Sequence, residues 1–110
     1  MILEFVTFKN PAGLSCEAAL EGARSVVRKR RASPDLLRKH FMRTEDGSHG
    51  GAVYVWKSRA AAEAAHGPEW RASVKARTGS EPTCQYFDLL LLVDNEHAKV
   101  TEFPEAAGGA

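Results

Sequence analysis

Apolar positions recur along this chain with two different periods, and the switches between them sketch its elements. Residues 2–9 run Ile-Leu-Glu-Phe-Val-Thr-Phe-Lys, and Asn10-Pro11-Ala12-Gly13 stops them, which predicts a first strand. Ser15 then suits a helix N-cap, with Glu17 in the first turn. Cys16, Leu20, Ala23 and Val27 follow at steps of four, three and four, and Ala19 and Val26 widen that stripe. One helix is expected from 16 to about 32, because Pro34 disfavours helical geometry at Ser33.

The period then shortens to two. Over 35–45, Leu37, Lys39, Phe41 and Arg43 fall on one side and Leu36, Arg38, His40 and Met42 on the other. Asp46-Gly47 marks a hairpin turn, and Gly51-Ala52-Val53-Tyr54-Val55-Trp56-Lys57 supplies the third strand. Ser58 caps an alanine-rich helix that Gly67-Pro68 interrupts; Pro68 suits the first turn of another, over 68–78. Trp70, Val74 and Arg77 line one side of that helix, and Gly79 ends it. A last strand is expected over 83–93. The order is βαββαβ, an α+β chain of ferredoxin-like type with a four-stranded antiparallel sheet. It forms one domain over 1–95, followed by a partly disordered C-terminal tail over 96–110.

Two helical layers cover one face of such a sheet, yet both faces read as apolar. Leu89, Leu91 and Val93 oppose Leu90 and Leu92; Val53 and Val55 oppose Tyr54 and Trp56; Leu3 and Phe5 oppose Ile2, Val6 and Phe8. A face open to water would alternate with polar residues. The reading is a homodimer that joins the two sheet faces into an α+β barrel, with the C-terminal tail as the other way to cover them.

At 110 residues, 44% hydrophobic and 26% charged, the chain has room for one ordinary soluble domain. A net charge of +1 gives no overall pull toward nucleic acid or an anionic membrane. The run Arg28-Lys29-Arg30-Arg31 reads as a solvated helix end rather than a nucleic-acid patch. No apolar run is long enough to cross a bilayer, and the N-terminal residues do not follow a signal-peptide layout. Cys16 and Cys84 stand alone, as in reduced cytoplasmic proteins, and a cytoplasmic location is expected. The histidines and cysteines show no metal-ligand spacing, so no metal site is expected.

The run Leu37-Arg38-Lys39-His40-Phe41, then Gly50-Gly51-Ala52-Val53-Tyr54-Val55-Trp56-Lys57-Ser58-Arg59, resembles the small monooxygenase-like proteins of the dimeric α+β barrel superfamily, the antibiotic biosynthesis monooxygenase type. Pro68-Glu69-Trp70-Arg71, Tyr86-Phe87-Asp88 and Val93-Asp94-Asn95 are similar in the same register, over about residues 1–95. The resemblance implies a homodimer with a pocket between sheet and helices in each subunit. It also implies oxidation of an aromatic or quinol-like compound by O₂ without metal, flavin or other cofactor. A non-catalytic dimer that binds a small hydrophobic molecule, or acts in stress, is the alternative.

Such chemistry needs an apolar cavity and a few polar groups that deprotonate a phenol and hold its anion. His40 and His66 are the expected catalytic residues, since a histidine exchanges a proton near neutral pH. Lys39, Tyr54, Trp56, Trp70, Arg77 and Tyr86 are the expected substrate contacts. Each also has a structural reading. The aromatics fill a core, and His40 makes a packing hydrogen bond. Lys39 pairs with Glu4 or Asp88, across the dimer or within the sheet, and His66 lies at a pocket mouth or faces water.

Overall fold

A computed structural model describes residues 1–103. The central strand β1 (Ile2–Lys9) has neighbours on both sides, and the sheet order is β2-β3-β1-β4, with β2 (Leu36–Arg43), β3 (His49–Trp56) and β4 (Thr83–Asp88). All neighbours are antiparallel. Helices α1 (Cys16–Arg24) and α2 (Val27–Arg31) join β1 to β2, while α3 (Arg59–Ala65) and α4 (Pro68–Thr78) join β3 to β4. The chain is therefore α+β with the ferredoxin-like order read from its periods.

Register decides which side chains meet. Glu4 stands opposite Tyr54 and Tyr86, Val6 opposite Ala52 and Cys84, and Tyr54 opposite Lys39. Directly opposed residues share a face, so these form the helix-covered side, where Val6, Tyr54, Trp56 and Ala62 make the core. The other side carries Leu3, Phe5, Val53 and Val55, which are half-buried, and His40, Met42 and Phe87, which are exposed.

The first helix departs from expectation. It breaks at Ser25, whose Oγ donates to the Gly22 carbonyl at 2.6 Å, while the Val26 N–H reaches back only three residues, to Ala23. Glycine weakens the helix interior, and a serine hydroxyl competes for its carbonyls. The inward stripe is Ala19, Ala23 and Val26; Cys16, Leu20 and Val27, expected inside, are exposed.

The last strand differs as well. β4 stops at Asp88, opposite Ile2, where β1 begins and the sheet offers no further neighbour. Residues expected to continue it form β5 (Leu91–Asp94) in a separate hairpin with β6 (Lys99–Glu102). β6 falls where a tail was expected; the rest of that tail, 104–110, lies outside the described residues. Leu91, Val93 and Val100 on this hairpin are exposed. No helix among the described residues is long and apolar enough to cross a membrane.

Gly51 is a point of close approach. Its φ of +155° is one that side chains rarely adopt, and a Cβ there would lie 1.9 Å from the Val6 carbonyl oxygen. Glycine lets β3 run tight against β1 beneath the helices.

Candidate functional site

Small residues on α1 create the site. Ala18, Ala19, Gly22 and Ala23 face the sheet, but their side chains are too short to reach it, and neither α1 nor α2 has a fully buried residue. A partly open cavity of about 310 Å³ remains between these helices, α4 and the sheet. Val6, Phe8, Ala52 and Trp70 form its apolar walls. Tyr54, Lys39, Arg30 and Arg77 are polar members of its lining, brought there by β3, β2, α2 and α4 respectively, and Asn10, Arg43 and Thr78 add further polar groups. Arg30, Lys39 and Phe41 also border a second hollow of about 360 Å³.

Behind the Tyr54 wall lies a sealed polar cluster. Glu4 is 0% exposed and accepts a hydrogen bond from Trp56 Nε1 at 2.9 Å. His66 Nδ1 lies 2.8 Å from both Glu4 oxygens. Arg30 Nη2 approaches His66 Nε2 at 3.4 Å. An arginine only donates, so Nε2 accepts there and the Nδ1 proton goes to Glu4. Rings enclose the imidazole: Tyr54 edge-on at 4.7 Å, Trp56 edge-on at 5.9 Å and Trp70 tilted at 4.0 Å. The break at Gly67-Pro68 is what turns His66 inward, since it ends α3 one residue beyond Ala65.

The cations of the lining have an electrostatic consequence. Lys39 Nζ lies 3.9 Å from the Phe41 ring centroid and 4.5 Å from that of Tyr54. Its pKa is lowered to about 7, first by burial and then by Arg30 and Arg77, with Glu4 opposing and Lys29 adding slightly. Burial pushes the Tyr54 hydroxyl up to about 12, so it stays a donor through the ordinary pH range. Burial, and then the nearby Glu4 carboxylate, also raise Cys84 and Tyr86.

Four residues singled out from the sequence meet in the cavity: Lys39, Tyr54, Trp70 and Arg77. Trp56 and His66 sit one layer behind, in the Glu4 cluster, with the His66 side chain 0% exposed. Tyr86 shares that sheet face but lies outside the lining, beneath the Arg59 guanidinium at 3.9 Å. His40 is exposed on the opposite face of the sheet, opposite Val53. Within one subunit, the ion pair expected between Lys39 and Glu4 or Asp88 does not form. Glu4 is already held by Trp56 and His66.

Two members escaped the sequence reading. Arg30 was assigned with its basic neighbours to solvent, yet it continues the inward spacing Ala23, Val26, Arg30, and that phase was the available signal. Glu4, expected as a partner for Lys39, belongs to the buried cluster instead. A carboxylate in phase with Val6 and Phe8 on a central strand signals a buried cluster. Among the described residues no three His, Cys, Asp or Glu side chains gather as a metal site would require.

No family model and no curated protein matches this chain. Solved structures do. An antibiotic biosynthesis monooxygenase superposes at TM-score 0.62 and 19% identity, over 82% of this chain and 99% of its own. A monooxygenase of Streptomyces coelicolor in complex with nanaomycin D matches at TM-score 0.62 and 19% identity, over 78% and 84%. A protein of unknown function from Nitrosomonas europaea matches at TM-score 0.64 and 20% identity, over 81% and 88%. The chain has the α+β fold of the antibiotic biosynthesis monooxygenase-like proteins.

Proposed function

We propose that this chain is a monooxygenase that oxidises a small phenol or quinol with O₂ in the cavity between α1, α2, α4 and the sheet. The observation that carries the reading is the cavity itself, walled by Val6, Phe8, Phe41, Tyr54 and Trp70, with Arg30, Lys39 and Arg77 among its polar groups. Its volume is at the low end of ligand sites, about 300–1,000 Å³, which suits one or two fused rings. Neighbours of the same fold described as monooxygenases, one of them holding nanaomycin D, support the reaction class.

The reaction balances without an added reductant. A ring C–H ortho or para to a hydroxyl becomes a carbonyl, and the hydroxyl becomes the second carbonyl of a quinone. One oxygen atom of O₂ enters the ring, and the other leaves as water with the ring hydrogen and the hydroxyl proton. Phe8, Tyr54 and Trp70 would hold the ring and keep water from it; the cations would hold the phenolate that gives up electrons to O₂.

The same proposal includes a homodimer through the sheet face opposite the helices. Leu3, Phe5, Val53 and Val55 are half-buried there and Phe87 is exposed, and a two-fold related copy would bury them further. His40 then belongs to the interface. Phe87→Asp is expected to turn a dimer into a monomer in sedimentation velocity; a wild-type monomer would remove this part.

A second reading follows from the histidines. His66 is sealed and His40 lies on the far face, so neither reaches the cavity to move a proton. A non-catalytic binding protein needs only the cavity. Oxygen uptake across a panel of dihydroxy- and trihydroxy-aromatics separates the two. The monooxygenase reading predicts uptake of one O₂ per quinone formed, lost in Trp70→Ala. Binding without uptake across the panel would leave the second reading standing.

A further inference from the structure

Three cations from three different elements line the cavity, with Arg43 of β2 as a fourth, and none has an anionic partner. Arg30 comes from α2, Lys39 from β2 and Arg77 from α4. None of them takes part in an ion pair among the described residues. Arg30 Nε is buried without an acceptor. Glu4, the nearest buried carboxylate, is engaged by Trp56 and His66 on the far side of Tyr54. Charges grouped this way repel one another unless an anion joins them or one gives up its proton.

We propose that Lys39 Nζ takes the proton from an acidic ring hydroxyl of the bound ligand, and that Arg30 and Arg77 hold the oxyanion this leaves. The inference rests on the aromatic-ligand reading of the cavity and adds the proton acceptor that the two histidines fail to provide. Arginines keep their protons at any working pH, so only the lysine of the three can accept one. The groups around it agree. The Phe41 and Tyr54 rings lie against its Nζ, and Arg30 and Lys29 of α2, Arg77 of α4 and Glu4 of β1 act on its charge. Burial and these cations leave the amine half deprotonated near pH 7. The transfer breaks the ligand O–H bond and forms an N–H bond on Lys39. Ammonium and phenolate appear together, so the cavity's net charge is unchanged. Tyr54, held as a hydroxyl, is a second donor to the oxyanion.

The test uses 4-cyanophenol, whose phenolate absorbs at longer wavelength than its phenol, and its methyl ether, which has no proton to give. Binding is measured by calorimetry at about pH 7.5 in two buffers of different ionisation enthalpy, which counts the protons released. For the wild type the bound probe is expected as phenolate with almost no net proton release, because Lys39 keeps the proton. Lys39→Met is expected to weaken the phenol by roughly 10-fold or more while leaving the ether unchanged. Any phenolate that Lys39→Met still binds is expected to release close to one proton to the buffer. Lys39→Arg keeps the charge but accepts no proton, and should release one too. Equal affinity of wild type for phenol and ether, or equal proton release by wild type and Lys39→Arg, overturns the proton transfer while sparing the aromatic cavity. Failure of both probes to bind, with Trp70 fluorescence unchanged, overturns the cavity reading and this inference with it.

Discussion

Removing both partners of the buried Glu4–His66 pair should cost clearly less than the two single removals added together. Glu4 is 0% exposed and accepts from Trp56 Nε1 and His66 Nδ1 at 2.9 and 2.8 Å. His66→Phe keeps a ring among Tyr54, Trp56 and Trp70 but leaves the carboxylate with one donor. Stripping a partner from a buried charge costs about 3–5 kcal/mol. Glu4→Leu orphans two buried donors, at roughly 1–3 kcal/mol each. With domain stabilities of about 5–15 kcal/mol, either change takes a large share and lowers Tm by ~15 °C or more. In the double variant the buried carboxylate and imidazole are both gone, and only the Trp56 N–H and Arg30 lose contacts. Its cost should fall at least about 2 kcal/mol below the sum of the singles. Urea unfolding followed by tryptophan fluorescence measures this directly, because Trp56 and Trp70 both touch His66. Protein concentration is held fixed, since self-association shifts apparent stability. Single losses under about 1 kcal/mol, or additivity within about 0.5 kcal/mol, would refute the view of the cluster as one electrostatic unit.

Other consequences are as specific. Lys39 has a folded pKa of about 7 against 10.5 in the unfolded chain. Between those values the unfolded state binds the extra proton, so this group makes stability rise with pH from about 7 upward. Above about 10 the raised Tyr54 opposes that rise. Lys39→Met should therefore flatten the stability profile between about pH 7 and 10 and be the more stable protein at pH 7; an unchanged slope in a pH series of urea melts would contradict it. Gly51→Ala would drive a Cβ to 1.9 Å from the Val6 carbonyl, so it should cost more than about 2 kcal/mol in the same melts. A smaller loss would mean that β1 and β3 separate easily there.

Much of this architecture was legible because each element carried a local signal that tertiary packing did not override. Ser15 and Ser58 accept from the backbone of Ala18 and Ala61 as N-caps, and Gly79 closes α4 with φ +84°. The failures have a common cause: they depend on where a neighbour ends or on which way a helix is turned. Nothing in Leu89-Leu90-Leu91 says that β1 begins opposite Asp88, so the strand could not be seen to leave the sheet there. Arg30 lies in phase with Ala23 and Val26, and a basic run read only by its charge conceals that. The candidate site was half legible for the same reason. Lys39, Tyr54, Trp70 and Arg77 meet because strand parity and helix spacing point them one way. His40 is one residue from Lys39, and in a strand one residue is the opposite face.

A crystal structure of the protein with 4-cyanophenol bound tests the central claim most directly. It should show the ring between Phe8, Tyr54 and Trp70, with its oxygen within hydrogen-bond reach of Lys39 Nζ and at least one of Arg30 and Arg77. A ring lodged instead on the open sheet face beside His40, with the cavity collapsed, would contradict the account.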